Sequence, residues 1–280
     1  MKNPLPPFLL KAVAVFALFT SAYQANAVII ASDSFSVTDT RLSGSSVSGT
    51  RTEIGDLTWN GGSQWQLFGE GADGYMGTKG SGSSGIGLAF NFGTYQALGD
   101  IATVSASIAY RRDSNTGRWF VLGFGSSSTV GNLPNAVYLR VNVYTSTWEL
   151  LSADNTGVEL PSGQITGVDF SKSTPITYSL TYDNGSHTVL DISINGTSVL
   201  SDYALATAPA EIQSIGFWGQ LPFNTATGVV FDNFELSVIP EPATAALSLG
   251  GAAIVAAYGL MGQKKRGAES GSRARGEQRP

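Results

Sequence analysis

Cysteine is absent from this chain of 280 residues, and histidine occurs once, as His187. Without thiolates there is no disulfide framework, no cysteine nucleophile, no thiolate zinc site and no iron–sulfur cluster. A single imidazole also excludes a multi-histidine metal centre. Charge is sparse, at 13% Asp, Glu, Lys and Arg, and it is unevenly spread. Between residues 28 and 239, eight basic side chains face eighteen acidic ones, so this stretch carries ten net negative charges where the whole chain carries five. Such a surface does not suit nucleic acid, whose binding rests on neutralised phosphates, but it is compatible with calcium or neutral glycans. Long amphipathic helical patterns are missing from the same stretch.

The two ends have a different character. Lys2 and Lys11 precede an apolar run at residues 12–19, and Ala25-Asn26-Ala27 offers a small-x-small cleavage site. That order predicts a secretory signal peptide over residues 1–27, cut after Ala27. Its apolar core is too short for a bilayer, which needs about 20 residues. At the other end, residues 243–262 (ATAALSLGGAAIVAAYGLMG) hold no charge, and as a helix they would extend roughly 30 Å. Lys264, Lys265 and Arg266 follow, then Arg273, Arg275 and Arg279. A single transmembrane helix with a cytoplasmic tail is the expected arrangement, leaving the central region outside.

Residues 28–238 are expected to form one domain. Val104, Ala106, Ile108 and Tyr110 alternate with Ser105, Ser107 and Ala109, the pattern of a half-buried strand. Strands are likewise expected at 118–124 (RWFVLGF), 136–143, 147–151, 176–182 (ITYSLTY), 187–194 (HTVLDISI), 212–218 and 228–238. Asp183-Asn184-Gly185-Ser186 and Asn195-Gly196 supply hairpin turns. Many short strands joined by Gly, Asn and Asp turns predict an all-β jelly-roll or concanavalin-like β-sandwich. Residues 80–85 (GSGSSG) lack the lysine of a phosphate loop and are expected to be a flexible connector.

Pro240-Glu241-Pro242, the apolar run and Lys264-Lys265-Arg266, in that order, resemble the PEP-CTERM sorting signal, here spanning residues 239–266 with a polar tail at 267–280. The resemblance implies an exosortase substrate: signal peptidase and an exosortase-type transpeptidase as partners, transient anchoring in the inner membrane, then delivery to the envelope, cell surface or extracellular matrix. The tail is longer than the family's usual ending. The central region is similar to LamG-like and concanavalin-type jelly rolls through residues 178–183, the turn, residues 187–194 and Asn195-Gly196. In such folds the first and last strands often pair, which implies that Asp33 and Asp232 approach one another and share a structural calcium.

Five tryptophans are present, and an aromatic face can stack on a sugar ring. Trp119 and Trp218 lie in apolar runs and are expected in the core. Trp59 and Trp65 lie among Asn, Gly, Ser and Gln, which makes them the candidates for glycan contact. The acidic candidates Glu53, Glu70, Glu149, Glu159 and Glu211 are scattered, without the Glu-x-Asp-x-Glu strand motif of laminarinase-like jelly rolls. His187 stands beside a turn, without a Gly-x-Ser-x-Gly elbow. No catalytic residues are therefore expected. The sequence supports an exported structural or adhesive surface protein, with a carbohydrate-binding module for an extracellular polysaccharide as the alternative and a glycoside hydrolase third.

Overall fold

Residues 176–183 show how the patterning becomes architecture: Ile176, Tyr178, Leu180 and Tyr182 are buried, while the Thr and Ser residues between them remain at least partly exposed. The structure, a computed structural model, describes residues 26–240 apart from 79, 111–118, 127–135, 153–159, 171–173 and 224–228. Ala25, Glu241, Pro242, Lys264, Lys265, Arg266, Glu159, the apolar run at 243–262 and the tail at 267–280 lie outside the described residues. Among the described residues no helix is long and apolar enough to cross a membrane.

Fifteen strands are described: β1 (Val28–Asp33), β2 (Trp59–Gly61), β3 (Trp65–Phe68), β4 (Tyr75–Thr78), β5 (Gly80–Ala89), β6 (Ile101–Tyr110), β7 (Trp119–Gly125), β8 (Val137–Asn142), β9 (Thr147–Ser152), β10 (Ser162–Gln164), β11 (Ile176–Asp183), β12 (Thr188–Ile194), β13 (Thr197–Ala204), β14 (Ser214–Phe223) and β15 (Val229–Ile239). They belong to one unit, Ala27–Pro240. An eight-stranded sheet runs β13-β12-β11-β6-β15-β4-β3, with β1 also on β15, and a seven-stranded sheet runs β10-β9-β8-β7-β14-β5-β2. The pairings are antiparallel. The expected all-β sandwich is therefore present, and first and last strands do pair, with Asp33 opposite Phe234.

The interior holds an aromatic column. Trp59 meets Phe234 edge-on at 5.0 Å, Phe217 lies 4.8 Å from Phe231, and Phe120 meets Tyr178 at 5.0 Å. Phe217 and Phe120 come from the seven-stranded sheet and their partners from the eight-stranded one. Each such contact therefore bonds the two layers, and burying a side chain of this size stabilises by about 1.5–3 kcal/mol. The outer face of the eight-stranded sheet is instead hydroxylic: Thr103 contacts Thr181 at 2.9 Å and Ser179 contacts Ser193 at 2.7 Å.

Two local features decide the sheet edges and spacing. Asn195 and Gly196 adopt φ of 52° and 75°, the left-handed pair that closes the β12–β13 hairpin. The glycines at 80–85 are not a connector but the first half of β5, fully paired with β14 from Gly80↔Phe223 to Gly85↔Trp218. Strand pairing overrides their weak intrinsic preference because neighbours on the ladder supply the backbone bonds. Farther along, Gly216 approaches β5 so closely that an added Cβ would stand 2.3 Å from the Ile86 carbonyl oxygen.

Candidate functional site

Asp33 ends β1 and is almost fully buried, so its charge requires compensation. Arg41 supplies it with two parallel bonds, Nη1 to Oδ1 at 2.9 Å and Nη2 to Oδ2 at 3.0 Å. Trp59 Nε1 donates to Oδ2 at 2.8 Å and the Phe35 amide to Oδ1 at 2.8 Å. Burial pushes the Asp33 carboxyl above its usual range, against the pull of Arg41, Trp59 and Phe35. Glu53 accepts bonds from Ser34 and Ser36 and also meets Arg41. Partial burial raises Glu53, but those bonds and Arg41 outweigh it and hold the group low. Asp232 is raised by burial and by the charges of Glu53 and Asp33.

This geometry corrects two expectations. Asp33 and Asp232 do come within electrostatic reach, but a guanidinium stands where the shared calcium was expected, and both Asp33 oxygens are occupied by N–H donors. Among the described residues no group of three or more His, Cys, Asp or Glu side chains is arranged to hold a metal ion. Trp59 and Trp65 are both completely buried, so neither presents a face to a glycan. Their polar sequence neighbours were misleading: Trp59 enters the core because its indole N–H finds Asp33 there.

The outward tryptophans are the other pair. In β7 the inward positions belong to Phe120, Leu122 and Phe124, which turns Trp119 and Val121 to the outer face; in β14, inward Phe217 does the same for Trp218. Trp119 and Trp218 are half-buried, with ring centroids 4.5 Å apart and planes inclined at 31°. The Arg140 guanidinium lies 5.7 Å from the Trp119 ring centre, a cation–π arrangement. Arg140 Nε also donates to Glu149 on the neighbouring strand. Both charged side chains retain about a third of their exposure.

Register lines these groups up across the strands. Trp218, Val121, Arg140, Glu149 and Ser162 form one row, and Trp119, Asn142, Thr147 and Gln164 the next. At about 4.8 Å per strand spacing, the four spacings of the first row make it roughly 19 Å long and the three of the second make it roughly 14 Å. At the β9–β10 edge the rows meet a recess of about 340 Å³ lined by Thr147, Trp148, Glu149, Ser162, Gly163 and Gln164. Chemically, the strip offers an apolar aromatic end, a charged pair with hydrogen-bonding capacity and a polar recess.

The remaining sequence candidates do not join this strip. Glu211 accepts a bond from Asn91, Glu70 precedes a short 3-10 turn at Gly71–Asp73, and His187 Nδ1 meets the Tyr182 hydroxyl at 3.2 Å. Sequence reasoning passed over Trp119, Trp218 and Arg140 as a group. The signal was the single charged residue in VYLRVN, which marks the outer face of β8 and, through hairpin register, that of β7.

No protein-family model matches the chain, and no curated protein does. Among solved structures it is similar to the carbohydrate recognition domain of Emp47p, at 14% identity and a TM-score of 0.49, covering 74% of this chain and 98% of that one. It is also similar to a Bacillus subtilis protein of unknown function with a galectin-like fold, at 15% identity and 0.46, covering 70% and 98%. A third is the carbohydrate-binding module CBM66 from Bacillus subtilis, at 13% identity and 0.42, covering 64% and 94%.

Proposed function

We propose that this chain is an exported adhesive protein of the cell surface or extracellular matrix that binds a neutral polysaccharide along the outer face of its seven-stranded sheet. The observation that carries the reading is the outward pair Trp119 and Trp218 beside Arg140 and Glu149. Half-buried indoles provide apolar area for the C–H face of a pyranose, and the adjoining polar row provides hydrogen bonds to ring hydroxyls. The acidic central region favours a neutral chain over an anionic one. Delivery is through the signal peptide and the PEP-CTERM signal. In support, β15 ends at Ile239, directly before Pro240, so processing beyond the motif removes no strand of the sandwich.

The test is affinity electrophoresis of the full-length chain through gels containing neutral polysaccharides. The wild type is retarded by at least one of them, and Trp119→Ala with Trp218→Ala abolishes the retardation while the melting temperature stays close to wild type. Equal migration of wild type and variant in every gel overturns the reading.

A further inference from the structure

We infer that Tyr144, in the turn between β8 and β9, is a third aromatic contact of the outer strip and makes the site selective for long linear chains; this rests on the glycan reading of that strip. Among the described residues Tyr144 is the most exposed large apolar side chain, at 65%. A lone surface aromatic would need no explanation. This one is held against the ligand face. Asn142, in one row with Trp119 and Thr147, accepts at its Oδ1 from the amides of Tyr144 at 3.0 Å and Thr145 at 3.2 Å. The Thr145 hydroxyl meets that of Thr147 at 2.7 Å, and the Ser146 carbonyl accepts from the Ile165 amide at 2.7 Å. Both side-chain anchors, Asn142 and Thr147, belong to the outer rows, whereas Val143 is buried in the core. The turn is therefore drawn toward the outer face, with Tyr144 on its solvent side.

Register sets the three aromatics on one diagonal. Trp119 stands one strand over from Trp218 and one row along, and Tyr144 follows Asn142, the partner of Trp119, by two residues. Each step crosses one strand spacing of about 4.8 Å and two residues of about 3.4 Å, so the line from Trp218 to Tyr144 is roughly 17 Å long. The rings of Trp119 and Trp218, 4.5 Å apart, act as one platform, and Tyr144 adds a second beyond it. A short saccharide covers only the first. A long linear chain covers both, and each further ring contact removes apolar area from water. The bonds that fix the turn before binding spare the ordering cost of a loose loop, and a tyrosine, with two side-chain torsions, adds little of its own. Neither indole nor phenol carries a charge, so the diagonal favours chain length and flatness over any ionic substituent.

Calorimetry on the full-length chain with a dimer and a hexamer of β-1,4-linked glucose, a flat neutral chain whose rings expose C–H faces, tests this. The hexamer should bind the wild type at least about tenfold more tightly than the dimer, and Tyr144→Ala should remove about tenfold of the hexamer affinity, the worth of one aromatic contact. The dimer affinity should stay as it was. Tyr144→Phe, which keeps the ring, should retain the wild-type preference for the longer chain. Because the side chain is exposed, the melting temperature of both variants should stay close to wild type. An unchanged hexamer affinity in Tyr144→Ala, or an equal loss for dimer and hexamer, overturns the third contact while leaving the strip intact. Failure of the hexamer to bind the wild type also overturns it, and whether the strip itself stands is then read from the polysaccharide gels.

Discussion

Replacing Arg41 with Met keeps most of the side-chain stem and removes only the guanidinium. The Asp33 side chain it leaves behind has no solvent exposure, and Arg41 itself is 12% exposed. Two of the four N–H bonds to the carboxylate disappear, leaving Trp59 Nε1 and the Phe35 amide. Removing one partner of a buried ion pair costs about 3–5 kcal/mol, because the other charge stays buried without compensation. For a domain of roughly 200 residues each kcal/mol is worth about 2–4 °C, so the melting temperature should fall by roughly 6–20 °C near neutral pH. The pH dependence has a definite sign. Asp33 already sits above its ordinary value through burial and rises further without Arg41. Between the unfolded and folded values the native state holds a proton that the unfolded chain has released, so lowering the pH stabilises the variant. Glu53, held low partly by Arg41, acts in the wild type with the opposite sign: its contribution is present above the ordinary carboxylate range and fades on acidification. Both effects make the gap between variant and wild type shrink as the pH drops from neutral into the carboxylate range. Thermal unfolding of the full-length chain at several pH values, followed by the near-ultraviolet signal of its buried tryptophans, measures this. A loss below about 1 kcal/mol at neutral pH, or a gap that widens in acid, would refute the reasoning. Adding Asp33→Asn to Arg41→Met should recover part of the loss, as a double-mutant cycle will read.

Gly216→Ala should destabilise by about 1–3 kcal/mol, because its methyl would collide with the Ile86 carbonyl and force β14 from β5; urea midpoints measure it. Chelator treatment should leave the melting temperature unchanged, since Asp33 is saturated by N–H donors; a fall on chelation would show that a metal stabilises the native state. Mass spectrometry of envelope material should find the mature protein starting at Val28 and lacking the segment after the sorting motif. Intact peptides from residues 267–273 as the dominant form would contradict the processing.

The tryptophans show where sequence reading succeeds and fails. Strand positions at 118–124 and 176–182 were legible within a residue of β7 and β11, because alternation is a local property of the backbone. The assignment of Trp59, Trp65, Trp119 and Trp218 to a face was inverted. Local polarity around Trp59 pointed outward, yet its N–H is held by Asp33, 26 residues earlier in the chain. Local apolarity around Trp119 pointed inward, yet Phe120, Leu122 and Phe124 already fill the inner positions of β7. Composition near a residue reports average surroundings, whereas facing is set by parity along the strand.

By itself, the sequence determined the all-β class, the hairpin at Asn195-Gly196 and the acidic character of the central region, because periodicity, turn chemistry and charge are written residue by residue. Tertiary structure decided what the chain offers a ligand. Only antiparallel register brings Trp218 of β14, Arg140 of β8 and Glu149 of β9 into one row. These contacts join residues far apart in the chain, and their free energy depends on neighbours that no local window contains.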